Sequence, residues 1–169
     1  MLARKVQEAM NAQLAVELES GYAYLAMSAY CESESLPGFA AWLREQSKEE
    51  VDHAMRFFDF INDRDGQVSL RKLPEPRQKF SSVLDVFEKA LDNERDVTRS
   101  ISDLYSFVES EKDYAAQAWL DWFATEQVEE EKTVGQIVDG LRRIGESGDA
   151  LFIFDRELGQ RRAAGAAPG

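Results

Sequence analysis

One long break, "RDGQVSLRKLPEPRQKFSS" at 64–82, separates two pairs of helical segments, and it restricts the topology more than any other feature of the chain. On either side of it, apolar residues recur at i, i+3, i+4 and i+7 over 4–33, 37–63, 82–110 and 113–144, with a short fifth segment near 149–158. The other breaks carry turn and cap residues: Pro37 in "SLPG", Asp113 after "SEK", Gly145 and Asp149 around "IGESGD". The first and third connections are too short for anything but antiparallel hairpins. A second helix of about 27 residues is ~40 Å long, and the roughly 18 residues after it reach ~55–60 Å when extended. The long break therefore runs the length of the bundle and starts the third helix parallel to the second. A structureless loop of that size needs a purpose in a compact domain, and crossing a bundle supplies one. The predicted fold is all-α, a four-helix bundle with one long crossover between its second and third helices and a short fifth C-terminal helix. One domain is expected over 1–159. A disordered tail is expected over 160–169, where "QRRAAGAAPG" offers little apolar surface to order it.

With 32 Asp and Glu against 20 Lys and Arg, the formal charge is −12. That balance argues against nucleic-acid binding, since Arg161 and Arg162 are too little to displace counterions from phosphates. An acidic excess fits cation handling, and fits equally a soluble surface that repels its neighbours. No uncharged apolar run approaches the ~20 residues of a membrane span, and no N-terminal stretch reads as a signal peptide. Cys31 is the single cysteine, so no internal disulfide forms and a reducing compartment is the simplest home. A cytoplasmic protein with no membrane partner is expected.

The buried stripe of each helix is interrupted at one height. The first reads Met10, Leu14, Glu17, Gly21, Tyr24; the second Leu43, Ser47, Glu50, Ala54, Phe57, Ile61, with His53 one turn beyond Glu50. The third reads Phe87, Leu91, Glu94, Thr98, Ile101, and the fourth Trp119, Phe123, Glu126, Glu130, Val134, with Gln127 alongside. The carboxylates fall near the midpoints of helices packed side by side, so Glu17, Glu50, His53, Glu94 and Glu130 should share one slab. A lone Glu-x-x-His is common on ordinary helices, and a single mid-stripe Glu is often a misphased surface residue. Four aligned by height on four helices is a different matter. Several bare carboxylates in a dry cavity would each cost several kcal/mol and repel one another. They must take up protons or enclose a multivalent cation. An oxygen-rich set with one imidazole suits Fe²⁺, Mn²⁺ or Zn²⁺ in a dinuclear site, with Glu50 and Glu130 placed to bridge. Glu49, Glu126 and Glu129 divide evenly between an accessory metal position and a solvated helix face. The phenol of Tyr24 shares the face of Glu17 and can hydrogen-bond a ligand. Trp119 and Trp122 read as core, and "ALFIFDREL" as a segment that folds back or meets another copy.

Taken together, "VELESGYAYL", "KEEVDH", "LDNERD" and "EQVEEEK" resemble the motifs of bacterial non-haem ferritins, a ferritin-like family, over nearly the whole chain. The resemblance implies that Glu17, Glu50 and His53 hold a first iron and Glu50, Glu94 and Glu130 a second. It further implies a third site from Glu49, Glu126 and Glu129 with Glu130. It also implies a hollow cage of 24 subunits that oxidises Fe²⁺ and stores a ferric mineral. The sequence departs from the bacterioferritins in two places. Gln127-x-x-Glu130 stands where they carry a second Glu-x-x-His, and Val51 where they carry a haem-ligating Met, so no haem is expected. Gln127 would also leave the second iron more weakly held, which suits iron in transit.

The expected activity is therefore ferroxidase and iron storage, with O₂ or peroxide as the oxidant. A twelve-subunit DNA-protecting ferritin is a weaker reading, because its metal site lies between subunits. A di-iron oxidase or oxygenase acting on an organic substrate would need a pocket that a sequence cannot show. A metal-free helical interaction module would keep the mid-stripe carboxylates protonated or turned to solvent.

Overall fold

The computed structural model describes residues 2–165, with side-chain surroundings through Gln160. Five helices follow in order: α1 (Arg4–Ser33), α2 (Pro37–Asp63), α3 (Val83–Ser110), α4 (Tyr114–Ile144) and α5 (Gly148–Gly165). The all-α bundle read from the sequence is the observed architecture. Its third and fourth helices start one residue later than expected because the residues before them are caps. Ser82 Oγ accepts from Asp85 N at 3.1 Å, and Asp113 Oδ1 accepts from Ala116 N at 3.1 Å. Arg142 and Arg143 lie in the last turn of α4, where cations oppose the carbonyl end of the dipole. Of the tail expected to be disordered, α5 covers residues up to Gly165; residues 166–169 lie outside the described residues.

The crossover traverses the bundle along α1. Near its start, Gln67 N donates to Gln7 Oε1 at 2.9 Å and Ser69 N to Asn11 Oδ1 at 2.7 Å. Near its end, the Phe80 ring meets Tyr30 edge-on at 5.3 Å. Contacts with both ends of α1 place α3 parallel to α2, as the loop-length reasoning requires.

The fifth helix docks on the start of α2. Leu36 gives α2 no side-chain cap; instead Asp155 of α5 accepts from Phe39 N at 2.8 Å. The backbones approach so closely there that a Cβ on Gly38 would fall 1.8 Å from the Asp155 carbonyl oxygen, so only glycine fits.

Two apolar cores fill the bundle. One holds Tyr24, Met27, Phe39, Leu43, Phe87 and Val134; the other holds Met10, Leu14, Phe57, Ile61, Leu120 and Phe123. The acidic slab lies between them. Among the described residues no helix is long and apolar enough to cross a membrane.

Candidate metal centre

The slab forms because α1 and α2 touch at their midpoints. A Cβ on Gly21 would sit 3.1 Å from Ser47 O and 3.3 Å from Glu50 Cβ, so a small residue brings the two helices together beside Glu50. The Ser47 hydroxyl donates to Gly21 O at 2.7 Å and fixes that contact.

Glu17 and Glu94 are 0% exposed, Glu50 1%, His53 5% and Glu130 8%, so solvent does not neutralise this cluster. One donor atom from each of Glu17, Glu50 and His53 lies within 4.8 Å of the others, and the same holds for His53, Glu126 and Glu130. His53 Nδ1 stands 3.4 Å from Glu50 Oε2. Glu17 Oε2, Glu50 Oε2, His53 Nδ1 and Ser20 Oγ have no hydrogen-bond partner. Buried polar atoms are rarely left so, and the residues carrying three of these four bring donor atoms within 4.8 Å of one another. A cation placed there would satisfy them, and the mixed oxygen and nitrogen donors suit a divalent first-row metal.

Without a cation, burial favours the protonated form of these carboxyls. Burial, then the charge of Glu50, pushes Glu17 well above the usual carboxylate range. Burial, followed by Glu94 and Glu130, does the same to Glu50. Burial, with Glu94 and Glu49, moves Glu130 up to about 8. Glu94 is raised by burial but held back by hydrogen bonds from Tyr24 and Gln127. Burial and the nearby Glu94 likewise raise the Tyr24 phenol well above its ordinary value.

Each residue singled out in the sequence has a definite place. Tyr24 donates its hydroxyl proton to Glu94 Oε1 through a short hydrogen bond. Gln127 Nε2 donates to Glu94 Oε2 at 3.2 Å and to the Glu94 carbonyl at 3.3 Å, so its amide orients Glu94. Each Glu94 oxygen keeps a further lone pair free. Glu126 is half-buried beside His53 and Glu130, Glu49 is half-buried and acts electrostatically on Glu130, and Glu129 is exposed.

Sequence reasoning passed over four polar residues. Gln13 Nε2 donates to Glu17 Oε1 at 2.8 Å, and the Ser100 hydroxyl in turn donates to Gln13 Oε1. Gln46 Nε2 donates to Glu130 Oε2 at 3.0 Å. Ser20 is 5% exposed and lies one turn beyond Glu17. The available signal was spacing: Gln13 and Gln46 each precede a ligand candidate by four residues, so they share its helix face.

A bundle that holds orphaned carboxylate and imidazole donors between two dry cores is one built to receive metal at its centre. The model of the Ferritin-like domain matches residues 7–144. The bacterial non-heme ferritin of Staphylococcus haemolyticus is 40% identical over 161 residues, covering 95% of this chain and 97% of that protein. Its counterpart in Staphylococcus epidermidis is 41% identical over the same shares. A closed form of the Archaeoglobus fulgidus ferritin, engineered by site-directed mutagenesis, superposes with a TM-score of 0.93 at 42% identity, covering 94% of this chain and 97% of that one. The open-pore ferritin of the same archaeon also superposes at 0.93, covering 98% of that chain. The chain belongs to the ferritin family.

Proposed function

We propose that this ferritin oxidises Fe²⁺ at the mid-bundle slab and stores the product as a ferric mineral inside a cage. The observation that carries the reading is the grouping of Glu17, Glu50 and His53, each buried and each with a polar atom that has no hydrogen-bond partner. Fe²⁺ is the substrate. Glu17, Glu50 and His53 would take the first ion, and Glu50, Glu94 and Glu130 the second. Glu126, beside His53 and Glu130, together with Glu49 and Glu129 would form an accessory position on the way in or out.

The chemistry follows from the donors. Anionic oxygen ligands favour the higher charge, so the slab stabilises Fe³⁺ over Fe²⁺ and lowers the reduction potential of bound iron. Each of two Fe²⁺ gives up one electron, and dioxygen accepts both with two protons to leave as hydrogen peroxide. The carboxyls that hold protons in the empty site release them as the cations enter. Tyr24 and Gln127 hold Glu94 in one orientation, and Gln46 does so for Glu130.

Self-association has a surface to work with. Tyr22 and Leu25 on α1, and Val51, Met55 and Phe58 on α2, are exposed apolar residues on the paired helices. We assign the assembly as 24 subunits and the location as the cytoplasm, as the family resemblance of the sequence implies. Haem has no part in this reading.

Stopped-flow absorbance on mixing apo-protein with Fe²⁺ and O₂ tests it. Rapid formation of Fe³⁺ is expected, with loss of the fast phase in Glu50→Ala and His53→Ala. Particle mass and iron content after loading test storage. Unchanged rates in both variants would sink the site assignment.

A further inference from the structure

The slab is so thoroughly enclosed that a second substrate needs its own way in. A cavity of about 410 Å³ lies beneath the crossover, between α1 and α3. Its roof is Pro74–Arg77, and its walls include Val16, Ala23 and Met27 from α1 and Val97 from α3. The roof is anchored, because Arg77 pairs with Asp85 through both guanidinium nitrogens, its Nε donates to Lys79 O at 2.8 Å, and its guanidinium stacks over Phe80 at 4.7 Å. Two prolines stiffen it further. This volume therefore does not close by simple collapse of the loop.

Two residues of the cavity wall lie close to the metal centre. Ser20 lines the cavity, is 5% exposed, and has a hydroxyl with no hydrogen-bond partner. Its neighbour Gly21 marks the closest approach of α1 to Glu50. Ser100 lines the same cavity and donates to Gln13, which holds Glu17. Ser20 and Ser100 thus stand between the cavity and residues that shape the slab.

The lining selects what passes. Glu19, Glu75 and Asp96 share this cavity with Lys89 and with Arg77, whose charge is taken up by Asp85. Val16, Ala23, Met27, Pro74, Pro76 and Val97 give the cavity an apolar wall, which suits an uncharged molecule and disfavours a hydrated dication that would have to shed water there. Resting on the ferroxidase reading above, we infer that this cavity is the antechamber through which dioxygen reaches the iron pair, with Ser20 as its inner gate. The space exceeds what dioxygen occupies, so it holds the oxidant next to the centre without binding it tightly.

The test joins a structural probe to a kinetic one. Crystals of the wild-type protein under xenon, an apolar gas probe, should show xenon against Val16, Met27 and Val97. Ala23→Phe fills the cavity from α1, and Asn93→Phe fills it from α3 should the first variant fold poorly. Each filled variant is expected to lose the xenon and to need at least fivefold more O₂ for half-maximal oxidation of Fe²⁺. Anaerobic Co²⁺ binding to the centre should keep its stoichiometry and rate. Wild-type oxidation with no change in O₂ dependence in a folded, filled variant overturns the inference and leaves the ferroxidase reading standing. Slower Co²⁺ binding with unchanged O₂ dependence also overturns it, by making the cavity a route for metal. A wild-type protein that does not oxidise Fe²⁺ at all brings down both.

Discussion

Asp155 Oδ1 accepts a hydrogen bond from the Phe39 backbone N–H at 2.8 Å, so the fifth helix supplies the N-terminal cap that the second helix lacks on its own. The carboxylate also sits where the α2 dipole is positive. The same junction holds Phe154 of α5 edge-on to Phe39 at 5.5 Å. Docking of α5 and the start of α2 are therefore one unit.

Removing that cap should loosen both helices together. Asp155→Ala leaves the Phe39 N–H buried without a partner and should cost about 1–2 kcal/mol. Denaturant titration measures the loss. Limited proteolysis should cut first within α5. A variant of unchanged stability whose α5 resists cleavage would contradict the assigned role.

Metal binding should be visible as stability before any oxidation is measured. A ligand that binds only the folded state raises the melting temperature with its concentration. Anaerobic Fe²⁺ or Zn²⁺ should raise the Tm of the wild-type protein and leave His53→Ala nearly unmoved, since that variant removes the one nitrogen donor of the centre. Equal shifts in the two proteins would place the metal elsewhere.

The fold was largely legible in the sequence because its punctuation is local. Pro37, Asp113 and the 64–82 break each act within a few residues, and the four long helices begin and end within a residue of where those signals put them. The buried carboxyl slab was legible for a related reason: Glu17, Glu50, Glu94 and Glu130 interrupt otherwise apolar stripes, and helix midpoints set their heights. What the sequence withheld depends on rotation between helices. Tyr24 shares a face with Glu17, yet its hydroxyl meets Glu94 of α3. Gln127, read as a weak ligand, orients Glu94 with its amide. Gln13 and Gln46 were missed because an amide at the flank of a stripe looks the same whether it meets solvent or a buried carboxyl. The extent of α5 escaped for another reason. Ala163 and Ala164 favour helix once a docked segment has nucleated it.

Those two amides should matter to the centre out of proportion to their distance from the chemistry. Gln13→Leu removes the donor to Glu17, and Gln46→Leu removes the donor to Glu130. Partners of this kind typically contribute 10–100-fold (order of magnitude) to metal affinity. Each variant should fold and weaken anaerobic Co²⁺ binding by about tenfold or more, while the shorter amide of Gln13→Asn, unable to span the same gap, should behave like Gln13→Leu. Calorimetry measures the affinity, and wild-type values in both leucine variants would reduce the amides to packing.

Acidity ties the empty site to the filled one. Glu130 titrates near 8 in the folded chain against an ordinary value of 4.5, and Glu17 and Glu50 move the same way. A carboxyl raised in this manner binds its proton more tightly when folded, so its stabilising contribution is complete below about pH 4.5 and fades as pH climbs through about 8. The apo-protein should therefore lose Tm steadily from about pH 5 to pH 8.5, the window set by that shift. Glu130→Gln, which cannot ionise, should flatten part of the slope. Bound divalent metal replaces the protons and pairs with the anions, so the Tm increment it gives should grow over the same window. Thermal scans of apo and metal-loaded protein across pH check all three outcomes. An apo Tm that rises with pH through neutrality would mean that these carboxyls are already ionised in the empty bundle, and that some other charge keeps them together.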